Sequence, residues 1–191
     1  MAAINVLQVL PDTNQPVPFT APFAFSIEYE CLQALQDDLE WKMIYVGSAE
    51  DEAHDQVLET AEVGPVVQGT FKFVFESDAP DPAKIPADDL IGVTVILLTC
   101  SYKGKEFIRI GYYVNVEYAD EQLKENPPDT PVVSALYRTI LADHPRVTRF
   151  PVDFDSDVAP GMQAAEGMAE SMQQDATPME QDAPMRPQMV F

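Results

Sequence analysis

Two cysteines, two histidines and no long apolar run are all that this 191-residue chain offers to several common function classes. Cys31 and Cys100 share no CxxC or comparable spacing, which argues against a disulfide framework or thiolate metal site and suits a reducing compartment. Each is read as a small buried hydrophobe on an inward strand position. His54 and His144 have no cysteine or second histidine at a metal-ligand spacing, and neither a glycine-rich phosphate loop nor a G-x-S-x-G elbow occurs. The expectation is therefore a protein that is not an enzyme and needs no metal or cofactor. No run of about 18 apolar residues is present, so no membrane-spanning helix is expected. The start Met1-Ala2-Ala3-Ile4-Asn5-Val6 lacks the basic opening and long apolar stretch of a signal peptide and reads as a first strand. Basic residues are scarce as well: 11 against 32 acidic, a formal net charge of -21. Such an imbalance repels phosphate backbones and anionic membranes, so direct nucleic-acid binding is disfavoured and a basic protein partner favoured. The cluster Glu50, Asp51, Glu52 and Asp55 lacks the spacing and central glycine of a calcium loop. It reads as a solvated acidic loop unless it faces a basic partner.

Composition changes near residue 156. From Ser156 to Phe191 there is no Leu or Ile, while six of the eight Met and four Pro occur. That segment cannot bury enough apolar surface to offset its conformational entropy and is expected to be a disordered acidic tail. The irregular spacing of Met162, Met168, Met172 and Met179, with Pro178 between, argues against an amphipathic helix there. Residues 1–155 carry most of the negative charge and read as one all-β domain. Strands are expected at Ile4–Leu10, Phe23–Leu32, Leu39–Val46, Asp55–Val63, Gly69–Ser77, Gly92–Tyr102, Glu106–Tyr118 and Arg146–Phe154. Short connecting helices are expected at Pro86–Leu90, Asp120–Glu125 and Val133–Leu141. Alternation is clearest in Phe23, Phe25, Ile27, Tyr29 and Cys31 and in Phe71, Phe73 and Phe75. Turn signals such as Asn126-Pro127-Pro128 separate the runs. Many short strands at this spacing predict an immunoglobulin-like β-sandwich.

The stretch GVTVILLTCSYKGKEFIRIGYYVNV, Gly92 to Val116, is apolar on both faces. A half-buried sheet should alternate, so the second face is either an interaction surface or covered by another element. The turn decides which side chains meet. A two-residue Lys103-Gly104 loop would carry Arg109 into the core beside Ile96 and Leu98. A three-residue Lys103-Gly104-Lys105 loop with Gly104 left-handed puts Ile108, Ile110, Tyr112 and Val114 inside instead. This second register gathers Val95, Leu97, Arg109 and Tyr113 on the outer face.

Several segments carry a resemblance: DLEWKMIYVGSAEDEAHDQVLE (Asp38 to Glu59), VGPV (Val63 to Val66), IGVTVILLTCSYKGKEFIRIGYYVNVEY (Ile91 to Tyr118), ENPP (Glu125 to Pro128) and PRVTRF (Pro145 to Phe150). Together they closely resemble the anti-silencing function histone chaperones, nearly colinearly from Ile4 to Phe154. The resemblance implies an immunoglobulin-like sandwich that binds the dimer of histones three and four in the nucleus, blocks tetramer formation and hands histones to nucleosome assembly and disassembly factors. It places the chief histone contact at Val95, with Leu97, Arg109 and Tyr113 beside it. An acidic rim of Glu52, Asp55 and Asp89 follows, with Ala49 in the apolar part, and the strand of Arg146 and Thr148 would pair with the tail of histone four. A second site is implied at Asp37 and Asp38, near Glu59, Val63 and Phe73. It would take basic motifs of deposition factors, namely the histone regulator A protein and the large subunit of chromatin assembly factor. Asp37 stands where relatives often carry Glu, and Glu62 where they carry an apolar residue. Ser156, Ser171 and Thr177, in acidic surroundings, are candidate sites for a Tousled-like kinase. Judged without the resemblance, the same features fit an intracellular immunoglobulin-like scaffold for another basic protein.

Overall fold

The computed structural model describes residues 2–155; the expected tail, with its methionines and candidate phosphorylation sites, lies outside the described residues. In chain order the elements are β1 (Ile4–Pro11), β2 (Val17–Pro18), β3 (Phe23–Cys31), β4 (Leu39–Val46), β5 (Asp55–Val63), β6 (Gly69–Ser77), α1 (Ala87–Leu90), β7 (Gly92–Tyr102), β8 (Lys105–Tyr118), α2 (Glu121–Glu125) and β9 (Leu136–Arg149). They form an immunoglobulin-like sandwich of a three-stranded sheet, β1-β3-β6, and a six-stranded sheet, β2-β9-β8-β7-β4-β5. Period-two patterning dictates the inner faces. Phe23, Phe25, Ile27, Tyr29 and Cys31 of β3 are buried, and so are Leu39, Trp41, Met43 and Tyr45 of β4. Across the sandwich Phe25 lies 5.6 Å from Tyr112 and Trp41 meets Phe73 edge-on at 6.0 Å. Burying each side chain of this size contributes about 1.5–3 kcal/mol, which is why a period of two is enforced along the inner faces.

The β7–β8 hairpin differs from the expected three-residue loop. Lys103 and Gly104 both have positive φ, 51° and 78°, and Tyr102 pairs with Lys105, so the turn is the two-residue kind whose twist matches the strands. A β-bulge then corrects the parity: Ser101 pairs with Glu106, but Cys100 pairs with Ile108, leaving Phe107 as the extra residue. Phe107 is buried against Phe154 at 5.0 Å. Ile108, Ile110, Tyr112 and Val114 thus face the core as anticipated, by a different device.

The expected helix at Val133–Leu141 is a correction. Only Val133–Ala135 turn as a short 3-10 helix, and β9 begins at Leu136. Leu136, Arg138 and Ile140 are buried while Tyr137 and Thr139 are not, a strand pattern disguised by an inward-pointing arginine. Arg138 is 2% exposed, with its guanidinium 3.7 Å from the Phe23 ring centroid. It donates to the carbonyls of Pro18, Phe19 and Pro22 at 3.2, 2.7 and 2.8 Å, which satisfies much of the buried cation's hydrogen-bonding need. Burial pulls its pKa down to about 10, so it stays charged at neutral pH. The final strand also ends at Arg149, short of the expected Phe154. Opposite Tyr112 the segment between Leu141 and Arg146 bulges outward, because Gly111 pairs with Arg146 while Tyr113 pairs with Leu141. β2, which was not anticipated, covers β9 only at Tyr137 and Arg138. Among the described residues, the outer edge of β9 beyond them has no strand partner.

Candidate functional site

Strand pairing lays the outer face of the six-stranded sheet out in rows. Val95 of β7 pairs with Tyr113 of β8, which pairs with Leu141 of β9; Thr99, Arg109 and Thr148 form a parallel row. Between them Val57, Ile44, Leu97, Gly111 and Arg146 run across five strands. Gly111 is the low point of this row. A side chain there would begin 3.2 Å from Leu97 Cδ2 and 3.3 Å from Val95 Cγ1, so both side chains lean over the glycine. Val93 is 64% exposed and Val57 57%, so the apolar surface continues past the residues named from sequence. Contiguous apolar area on a solvent-facing sheet marks a binding surface.

Two cations on this face are held in place. Glu106 accepts both Nε and Nη2 of Arg109, at 2.8 and 3.1 Å, a bidentate pair that fixes the guanidinium plane. Arg146 Nη1 donates to the Tyr113 hydroxyl at 3.0 Å. The bond to Glu106 raises the Arg109 pKa, and the carboxylates of Asp55 and Glu52 add to the effect. Those acids stand at one end of the sheet, where β4 finishes and β5 and β7 begin. Asp55 pairs with Val46, Glu52 sits in a short 3-10 turn just before it, and exposed Ala49 lies in the loop between. Asp89 is exposed on α1, immediately ahead of β7. Partial burial, and next the charge of Glu52, push the Asp55 carboxyl above its usual value, against the pull of Arg109.

The second set of residues follows the seam where β5 and β6, outer strands of the two sheets, approach each other. Asp37 and Asp38 precede β4 in a turn whose backbone is anchored from below: the buried Tyr102 hydroxyl accepts the N–H groups of Gln36 and Asp37 at 3.1 and 3.2 Å. Gly64 permits the approach of Asp38, since a Cβ there would collide with its carboxyl group. Val63 pairs with Leu39 and Glu59 with Met43, while Phe73 is half-buried against Trp41. The two aspartates line an open hollow with Glu40, Glu62 and Lys103, and Lys103 Nζ lies 3.8 Å from Asp37. Glu59, Val63 and Phe73 are outside that hollow, further along the seam. Glu62, opposite Glu40, adds a carboxylate to it.

The family described as ASF1 like histone chaperone matches residues 1–155. The chain belongs to that family. Among its relatives, the probable histone chaperone ASF1A of Arabidopsis thaliana is 60% identical over 154 residues, spanning 81% of this chain and 78% of the relative. Histone chaperone ASF1B of the same plant is 50% identical over 194 residues, 100% of this chain and 88% of the relative. Human histone chaperone ASF1B is 56% identical over 158 residues, 83% and 78% of the two chains. These relatives are named as chaperones, and the family is non-enzymatic.

In this ASF1-like domain the residues that sequence reasoning missed are supports and neighbours. Glu106 is three positions from Arg109, a spacing that normally puts strand residues on opposite faces; only the bulge at Phe107 brings them together. Tyr102, named from sequence only as the end of a strand, holds the Asp37 turn through its hydroxyl. Val57 and Val93 carried a signal, since Val57 interrupts the polar outer positions of β5 and Val93 shares the apolar second face of β7 with Val95 and Leu97.

Proposed function

We propose that this ASF1-like chaperone caps a dimer of histones three and four with the outer face of its six-stranded sheet, preventing the dimer from forming a tetramer. The observation that carries this reading is the apolar row around Val95 and Leu97 over Gly111, flanked by a fixed Arg109 and ended by an acidic rim. The apolar centre supplies the anchor, and Glu52, Asp55 and Asp89 steer and orient a strongly basic ligand. The open edge of β9, with Arg146 and Thr148, accepts the tail of histone four as an added strand, its main-chain groups completing the ladder. The seam around Asp37 and Asp38, with Glu59, Val63 and Phe73 alongside, docks basic motifs of deposition factors of the histone regulator A and chromatin assembly factor kind. Cargo and recipient thus engage different surfaces of the one domain spanning residues 1–155, and the protein acts in the nucleus. A Tousled-like kinase acting on Ser156, Ser171 and Thr177 belongs to the same reading. The test is the mass of the complex formed with histones three and four, measured by light scattering on a sizing column. One chain with one dimer supports capping; two chains on an intact tetramer would refute it.

A further inference from the structure

The acidic rim is carried by two loops far apart in the chain, and they are built alike. Asp51 opens the 3-10 turn Glu52–His54 by accepting the Ala53 N–H at 2.9 Å, and Asp81 opens Pro82–Lys84 by accepting the Ala83 N–H at 3.0 Å. The first turn carries Glu52 and leads to Asp55; the second leads through buried Ile85 into α1, with Asp88 and Asp89. Loops of like charge repel, so their spacing needs an explicit restraint. Three hydrogen bonds supply it. Gln56 reads the backbone of Asp81 with both ends of its amide, Nε2 donating to the carbonyl at 2.9 Å and Oε1 accepting the N–H at 2.8 Å. His54 Nδ1 lies 3.2 Å from the Lys84 carbonyl, an oxygen that can only accept, so the proton is on Nδ1. Nε2 faces Asp51 Oδ2 at 3.8 Å. On its other side the His54 carbonyl abuts Gly47, where a Cβ would come within 2.4 Å, so the turn is seated directly on the backbone at the end of β4.

We propose that His54 and Gln56 are positioning residues for histone binding, tying the Glu52–Asp55 turn to the segment that leads to Asp88 and Asp89 so that the rim's carboxylates meet a basic partner at a preset separation. The proposal rests on the reading of the outer face as the histone surface. Ordering a loop at the moment of binding costs affinity, and a tie made in advance removes that cost. The ties touch neither Val95 nor the Asp37 seam, so their effect is confined to one of the two surfaces.

The experiment uses the full chain with His54→Ala, Gln56→Ala and the pair combined, titrated against the dimer of histones three and four over a range of salt. The double variant is expected to bind about 3- to 10-fold more weakly, with a shallower dependence on salt, an unchanged melting temperature and unchanged binding of a basic deposition-factor peptide. His54→Asn, whose Nδ2 reproduces the Nδ1 donor, should recover most of the affinity lost in His54→Ala. Wild-type affinity and salt slope in the double variant would overturn the proposal, as would equal loss of both ligands with a fallen melting temperature, which marks a general stabiliser. Val95→Arg run alongside separates the two levels: if it abolishes binding while the double variant keeps wild-type affinity and salt slope, the tie is wrong and the surface stands. If Val95→Arg also binds normally, both fall.

Discussion

The two outer faces of the sandwich obey different rules. On the three-stranded sheet, Ala24, Ser26, Glu28 and Glu30 alternate with the buried residues of β3, and Glu28 sits between Gln8 and Lys72. Its most exposed apolar residue on β6, Val74 at 59%, pairs with Ser26 and has Lys72 and Glu76 two positions to either side on the same face. On the six-stranded sheet the corresponding positions are Ile44, Val57, Val93, Val95 and Leu97, joined into a continuous strip. Folding requires one apolar face per sheet. The second apolar face of β7 is therefore surplus to folding, and the proposed function draws on that surplus.

Exchanging a residue on each face breaks the comparison most sharply. Val95→Arg should weaken binding to the histone dimer by roughly 100-fold or more, since a charge placed in an apolar contact has no partner there. Its melting temperature should stay near wild type. Val74→Arg, at a valine of the other outer face that is 59% exposed where Val95 is half-buried, should change neither binding nor stability in matched titrations and thermal scans. Equal losses from both would show that net charge, not the strip, governs binding.

Next in size is the contrast between an inner and an outer arginine. Arg138→Ala removes a buried guanidinium that serves three backbone carbonyls and should cost about 2–4 kcal/mol in a urea titration. Arg109→Ala, on the outer face, should cost under about 0.5 kcal/mol of stability while weakening histone binding severalfold. A large stability loss at Arg109 would place it in the folding framework instead.

The seam gives a third contrast. Asp37→Ala combined with Asp38→Ala should weaken a basic deposition-factor peptide about 10-fold and leave histone affinity unchanged by calorimetry. Loss of both activities would mean that the surfaces are not separate.

The smallest effect concerns pH. Asp55 has a folded-state pKa above the usual 3.8, first from burial and then from Glu52. The folded protein therefore holds that proton more tightly than the unfolded chain. Its contribution to stability is full below the usual carboxylate pKa and is lost as pH rises through the folded value. Asp55→Asn should accordingly match or slightly exceed wild-type melting temperature at neutral pH, with the advantage disappearing in acid, yet bind histones less well. A variant that is less stable at neutral pH would contradict the sign.

Much of this was legible in the chain. Period-two apolar runs located β1 and β3 to β8 to within a residue or two at each end, and the double-sided pattern of Gly92 to Val116 pointed to the apolar outer face. What resisted reading were places where one residue overrode a pattern. The bulge at Phe107 does the parity work expected of a longer turn, and it hides the link between Glu106 and Arg109. Arg138 breaks the alternation of β9 with a charge whose partners, the carbonyls of residues 18–22, are over a hundred positions away. The His54 and Gln56 ties escape for the same reason: they join side chains to backbone carbonyl and N–H groups, which carry no sequence signature.

The central claim, that the apolar strip rather than acidity selects the cargo, is tested most directly by titrating the full chain and Val95→Arg against the dimer of histones three and four at near-physiological and at raised salt. The account predicts tight wild-type binding that persists at raised salt and is lost in the variant at both. Weak binding of equal strength in the two proteins, vanishing together as salt rises, would contradict it.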